Sequence, residues 1–580
     1  MFLSSILGAA ALLTASVTAA PSAQLGTRAD CKFDSFASPD CWDGVFDLKT
    51  DYYTQGPKND PKKPRVYDFT LSNVTTLAPD GVPRTVLAIN GQIPGPTIYA
   101  DWGDTVVVNV INALDYAGTA IHFHGIRQNH TIGQDGVASI TQCPIPGDGG
   151  KQTYTFVATQ YGTSWYHSHY AVQAWDGVFG PIQIAGPASA PYHKDLGAVM
   201  LSDWTHQTSD SLLEAAALNG GSVPMNNGLI NGLNTHTKPG ESTTGKRYEM
   251  VFEKDKLHRI RFINTAMDTM YKISFDDHEM QVISADFVSI EPFTTKVLPI
   301  AIGQRYDVIV KASAGGGNHW FRATPMNACG GGRDEGVDVR AIVRYDANDK
   351  GTPDEKDPST LPVIDDDCLD VPTTSLKPSA KIDLKDVPTK FQLDHNIDFE
   401  MNFDETTGAV DWRIKSQPYY SPWDYPTLQQ IVEGNTTYDP RQQLIHVDSK
   451  REWIYALVRT SSGTTHPIHL HGHDFFILGQ SDQEFNPDTF VPQTVNPPRR
   501  DVAMINGLGY IVIAFQTDNP GAWLLHCHIG WHTSQGFALT FMEHIDKVKG
   551  LVDSGPLLKQ CSDWKTFAAE KKIKQHDSGV

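Results

Sequence analysis

The segment HCHIGWH, residues 526–532, constrains this 580-residue chain more than any other, because it encloses a cysteine between two histidines and sets a third histidine four residues after the second. On an extended backbone successive side chains point to opposite faces, so His526 and His528 project together while Cys527 projects the other way. One short segment therefore serves two metal sites. A soft thiolate combined with imidazoles selects copper or zinc among first-row metals, and a His2Cys set with a weak or missing axial ligand is the blue-copper electron-transfer arrangement. His532 is the second imidazole of that set, and the first must come from elsewhere in the chain.

Three further runs carry His-x-His pairs. IHFHG holds His122 and His124, WYHSH holds His167 and His169, and HPIHLHGH holds His466, His469 and His471. Each lies in a stretch rich in Val, Ile, Tyr and Phe that reads as strand, so the period of two again puts both imidazoles of a pair on one face. Setting His466, Cys527 and His532 aside for the blue site leaves His122, His124, His167, His169, His469, His471, His526 and His528, enough for a cluster of several coppers. A lone histidine in an apolar strand is ordinarily a core or surface residue. His206 keeps that reading, and so does His473, which follows the turn-forming Gly472 and is assigned no copper. Four pairs, one of them enclosing a cysteine, are not explained in that way.

Beyond the pairs, the chain contains DWGD at 101–104, QYGTSWYHSH at 160–169, GQRYDV at 303–308, NPPRRD at 496–501 and TDNPGAWLLHCHIGWH at 517–532. With these motifs the sequence, from about residue 41 onward, resembles the multicopper oxidases, and within them the laccases of the ascomycete fungal type. The resemblance implies four coppers per chain: a type 1 copper on His466, Cys527 and His532, a type 2 copper on His122 and His469, and two type 3 coppers on His124, His167, His169, His471, His526 and His528. It implies that phenolic or aromatic reductants give single electrons at the type 1 site, next to His466 or His532. Cys527 and its neighbours His526 and His528 then link that site to the cluster where dioxygen becomes water. Phe537, ten residues after the cysteine, holds the axial position and cannot coordinate, which favours a high potential. Asp104 is the expected proton relay; the alternative is a turn carboxylate after Gly103. The resemblance further suggests disulfides Cys31–Cys41, Cys143–Cys561 and Cys329–Cys368, and a tail, Asp577 to Val580, that plugs a channel toward the cluster or is simply a chain end.

The remaining features agree. Several domains of about 100–200 residues are expected from the length. The 36 Pro and 48 Gly, with short strand-like runs such as DTVVVNVIN and RYDVIVKA, argue for an all-β fold of Greek-key sandwiches. The first third, ending near GPASAP at 186–191, carries pairs, the middle third carries none, and the last begins after a Pro/Asp-rich connection at 352–390. Three sequential cupredoxin-like Greek-key β-sandwich or barrel domains are therefore expected at 41–190, 191–365 and 366–580, the threefold repetition itself being implied by the family. Residues 1–20, apolar and ending in small residues, read as a signal peptide without the usual basic start, and 21–40 as a propeptide or extension. Six cysteines besides Cys527 suit an oxidising compartment, and sequons stand at Asn73, Asn129 and Asn435. A secreted monomer with no membrane partner is expected. The net charge of -20 argues against nucleic acid, and without a Walker A or GxGxxG motif nucleotide cofactors have no support. Two other readings are a ferroxidase, which needs acidic residues such as Glu241 or Asp424 beside the type 1 histidines, and an electron carrier holding one copper.

Overall fold

The structure is a computed structural model that describes residues 32–580 apart from 239, 331, 335, 385–392 and 449. The expected signal peptide and the extension up to residue 31 lie outside the described residues. Three pairs of sheets follow one another along the chain: two four-stranded sheets between Arg65 and Ala185, a six- and a five-stranded sheet between Lys194 and Arg344, and a seven- and a five-stranded sheet between His395 and Glu543. Most neighbours are antiparallel, but Arg65–Val74 pairs parallel with Thr105–Asn112, and Ile98–Asp101 with Phe179–Ala185. These non-consecutive pairings mark Greek-key crossovers.

Local sequence explains the layers. Thr105–Asn112 alternates buried and half-buried residues, so Val106, Val108 and Val110 face the opposing sheet and pack with Ile98, Tyr166 and Ile182. Each such buried valine contributes roughly 1.5–3 kcal/mol relative to exposure.

The four strands that carry the histidine pairs do not alternate: β1 (Ile121–Phe123), β2 (Gly162–Ser168), β3 (His466–Leu470) and β4 (Gly521–Cys527) are buried at every residue. Each has one face in the core of its own sandwich and the other toward a second sandwich. Phe123, between His122 and His124, packs on Tyr154 and Phe156 at ring-centroid distances of 5.4 and 4.7 Å. β1 and β2 pair antiparallel with His122 opposite His167, and β3 and β4 pair with His469 opposite His526. In each of the four cases the second histidine of the pair lies just past the strand end, so the imidazoles gather where the ladders stop.

Three helices matter for the site: α1 (Ser209–Leu218), α2 (Gly530–Ser534) and α3 (Ser554–Lys571). Asp553 caps α3 by accepting from Gly555 N. Its stripe Leu557, Cys561, Trp564 and Phe567 shares one core with Ala120, Ile140 and Cys143 of the first sandwich and Ala522, Leu524 and Met542 of the third. A Cys143–Cys561 disulfide, Cα to Cα 5.1 Å, closes a separation of 418 residues, and a second joins Cys329 to Cys368. Both pairings implied by the resemblance are present; the third involves Cys31, outside the described residues. No helix among the described residues is long and apolar enough to cross a membrane.

Removing the long-range disulfide (Cys143→Ser with Cys561→Ser) is expected to cost about 2–5 kcal/mol, since it restores loop entropy to the unfolded chain. A lower urea midpoint and faster proteolysis of α3 are the measurements.

Candidate metal centres

All eight histidines assigned to a cluster converge in one buried space, none more than 4 % exposed. His124 stacks on His469 at 3.8 Å and His122 on His471 at 4.0 Å, while His169 and His526 stand 5.4 Å apart and His124 and His528 5.0 Å. The first and third sandwiches thus contribute four rings each. Backbone or carboxylate acceptors hold Nδ1 of five rings: His122 on Asp135 O (2.8 Å), His167 on Ser168 O (3.0 Å), His469 on Asp501 O (2.9 Å), His526 on Cys527 O (2.8 Å) and His471 on Asp135 Oδ2 (3.0 Å). That fixes the tautomer and aims Nε2 inward. Nε2 of His122, His167 and His469 is buried with no hydrogen-bond partner. Orphaned nitrogens facing one another are costly unless an ion receives them, so the residues fit a metal cluster.

The second group lies one peptide away. Cys527 Sγ is 3.8 Å from His466 Nδ1 and 3.7 Å from His532 Nδ1, and the two nitrogens are 3.2 Å apart. A point equidistant from the three atoms is about 2.1 Å from each, close to the roughly 2.0 and 2.3 Å typical of bonds to imidazole nitrogen and thiolate sulfur. Phe537, fully buried, packs on Trp412 at 4.8 Å, on Phe399 at 4.0 Å and on His466 at 4.9 Å, so the axial side is closed by rings without donors. His466 is fully buried and His532 is 6 % exposed. His532 is therefore the ring nearer the outside, and a Cβ added at Gly221 falls 3.4 Å from its Nε2.

Burial dominates the protonation of both groups. It pushes the imidazoles of His124, His167, His169, His469, His471 and His528 well below 6.5, neighbouring rings adding to the effect; His526 falls to about 4 and His532 to about 3. Neutral imidazole is the form that ligates. Burial likewise raises the Cys527 thiol, so only a bound cation yields the thiolate.

Two motifs of the sequence meet behind the cluster. Arg305 of GQRYDV grips Asp501 of NPPRRD at 2.5 and 2.6 Å, Asp501 Oδ1 lies 3.3 Å from His124 Nε2, and Arg500 Nε donates to Asp286 at 2.8 Å. Burial, opposed by Arg305, pushes the Asp501 carboxyl up to about 7. Gly303, at φ +82°, approaches so closely that a Cβ would stand 3.0 Å from His528 Cδ2; a side chain there would crowd the ring and strain the backbone.

Asp104 corrects the sequence reading. Its carboxylate accepts from Arg65 Nε (2.7 Å), Asn59 Nδ2 (2.6 Å) and Asp101 N (2.9 Å), with no contact to a cluster histidine among the described residues. It is a turn carboxylate with an arginine neighbour, because the DWGD turn closes its own strand end. Besides Asp501, the acid that meets the rings is Asp135, 1 % exposed, bonded to His471 and 3.3 Å from His122 through Oδ1. Sequence reasoning missed it since Asp-Gly at 135–136 carries only a turn signal. His473 is occupied elsewhere, with Nδ1 at His471 O and Nε2 3.1 Å from Glu543. Asp268, buried beside the other centre, was also missed: it takes a hydrogen bond from Ser222 Oγ, next to Gly221, while Gly530 N donates to Met267 O at 3.0 Å.

Comparison with known proteins agrees with this geometry. Three family models, each described as multicopper oxidase, match residues 70–189, 196–348 and 414–547. The chain is 41 % identical to the oxidoreductase OpS5 of Beauveria bassiana, over 93 % of this chain and 91 % of that one, and 40 % identical to a laccase of Cryphonectria parasitica, over 93 % of each. The crystal structure of the laccase from Botrytis aclada superimposes with a TM-score of 0.88 at 36 % identity, covering 95 % of this chain and all of that one.

The protonation pattern predicts how the metal-free protein responds to acid. Unfolded, these histidines bind protons near pH 6.5; folded, His526 and His532 resist to about pH 4 and about pH 3. The unfolded chain therefore binds more protons within that window, and the stability present above pH 6.5 is lost as the pH falls through it. A thermal midpoint that drops between pH 7 and pH 4 in the apoprotein, and less in the copper-loaded protein, is the expected result.

Proposed function

The chain belongs to the multicopper oxidase family, and from that premise we propose that it works as a laccase, drawing single electrons from phenolic or aromatic reductants and reducing dioxygen to water. The observation that carries the reading is the pairing of a His2Cys triangle with an eight-histidine cluster through one cysteine. Copper is the cofactor, four per chain. His466, Cys527 and His532 hold the type 1 ion, His122 and His469 the type 2 ion, and His124, His167, His169, His471, His526 and His528 the type 3 pair. Bound there, the coppers supply one-electron redox steps and the capacity to reduce dioxygen by four electrons.

The protein's own residues do the rest. Cys527 is covalently continuous with His526 and His528, so the two centres communicate through peptide bonds and no mobile carrier is needed. Phe537, Phe399 and Trp412 keep a fourth donor and water from the type 1 site, which supports a high potential. At the donor end His532 presents its outer edge next to Gly221, and Asp268, tied to Ser222, is the carboxylate assigned to receive the phenolic proton. At the oxygen end Asp135 touches rings of two sandwiches and is the proton relay in place of Asp104. Glu241 and Asp424 are exposed, and no hydrogen bond or ion pair among the described residues joins either to His466 or His532.

The finer points of this reading are three domains at 41–190, 191–365 and 366–580, secretion as a monomer, and a plug role for the tail. The last is supported by burial of Ser578 to Val580, with Ser578 N on Ser534 O, Trp423 Nε1 on Gly579 O, and Val580 sharing a core with Tyr170, next to His169.

Oxygen uptake by the copper-loaded protein tests the reading: rapid uptake with a methoxyphenol, slow uptake with ferrous ion and no peroxide are expected, and uptake favouring iron overturns it. Asp135→Asn is expected to slow reoxidation by dioxygen about 10–100-fold while anaerobic bleaching of the blue band by the phenol keeps its rate; Asp104→Asn alters neither. Phe537→Met, by offering a thioether, is expected to lower the type 1 potential in a redox titration.

A further inference from the structure

Away from both copper centres, Asp80, His206 and His236 bring one donor atom each within 4.8 Å of one another. They come from three separate places: the turn after Arg65–Val74, the loop between Lys194–Trp204 and α1, and the two-residue strand Thr235–His236 paired with Thr244–Gly245. His206 Nε2 is 2.8 Å from Asp80 Oδ2, and the two imidazoles stand edge to face at 4.7 Å. Asp80 is fully buried, and among the described residues its one ion pair is with His206; Arg84, four residues on, is paired with Asp176. Val82 N (3.1 Å) and Asn227 Nδ2 also donate to the carboxylate, but its one ion-pair partner is an imidazole, and a buried carboxylate so placed favours a cation.

The surroundings hold these donors in place. Asn227 Nδ2 bridges Asp80 Oδ2 (3.0 Å) and Thr235 O (3.1 Å), Thr244 Oγ1 donates to Asp80 O (3.2 Å), Asn234 N to Pro79 O (3.3 Å), and Asn226 Oδ1 accepts from His206 N (2.8 Å). Gly81 packs so tightly on the Thr244–Gly245 strand that a Cβ would stand 2.3 Å from Gly245 N. Both imidazoles are only half-buried, leaving one side open to water. Two imidazoles, one carboxylate and a solvent-open fourth position form a donor set for zinc or copper(II).

We infer that Asp80, His206 and His236 form a separate site for a divalent transition ion, of which zinc is the test case. The ion replaces the proton between His206 Nε2 and Asp80 Oδ2, which must part by only about half an ångström to reach the roughly 3.3 Å spacing of tetrahedral ligands. His236 closes the third position, and the ion pins the turn, the loop and the hairpin together.

Zinc distinguishes this site from the four coppers. The copper-loaded protein is dialysed against increasing free zinc, and both metals are counted. One zinc per chain with the copper count unchanged is expected, along with a raised thermal midpoint. Uptake weaker by about tenfold or more is expected in His236→Gln and in His206→Gln, both keeping the blue absorption band. His236→Gln, in a half-exposed hairpin, serves if His206→Gln folds poorly. Absent zinc uptake, uptake matched by copper loss, or equal affinity in His236→Gln overturns the inference.

Discussion

Eight imidazoles packed into one buried space, several presenting nitrogens with no hydrogen-bond partner, are the constraint on which the rest of the structure depends. Without a cation the arrangement only costs: water has been removed from polar atoms, and no protein group replaces it. Much of the architecture keeps those rings in place. Four come from the first sandwich and four from the third, so the cluster exists only while the two faces are pressed together. α3 and the Cys143–Cys561 disulfide fasten that contact from one side.

From the other side the middle sandwich acts as a brace. It contributes no ring to the cluster, yet Arg305 carries the pair that positions Asp501, and Asp501 meets both His124 and His469. Gly303 lets the same loop touch His528. A sandwich without a metal ligand is thus tied to the site through charge and close backbone approach, the role commonly taken by groups that orient ligands.

The two centres differ in ways that suit their tasks. The triangle of His466, Cys527 and His532 is lined by aromatic rings and reaches the outside through the His532 edge. The cluster is lined by carboxylates, Asp135 and Asp501, that can hold or orient protons. Cys527 belongs to both environments because its side chain points into the third sandwich's core while its neighbours point into the interface.

Alternation is the physical reason so much of this was legible. A period of two places His122 with His124 and His526 with His528 whatever the partner strands are, so the sequence by itself determined the histidine pairs that share a face, the opposed cysteine and the all-β class. Phe537 too could be read, since its spacing from Cys527 is local. What only the tertiary structure decided is the identity of groups that act across sandwiches. Asp104 looked like the relay because Gly-Asp is conspicuous along the chain, but its turn folds onto Arg65 and Asn59; Asp135 reaches His122 and His471 only once the first and third sandwiches meet. Asp268 meets Ser222, and Asp80 joins His206 and His236, across separations that no periodicity spans. A backbone repeat fixes directions within a strand, whereas packing alone fixes which strands, and hence which carboxylates, become neighbours.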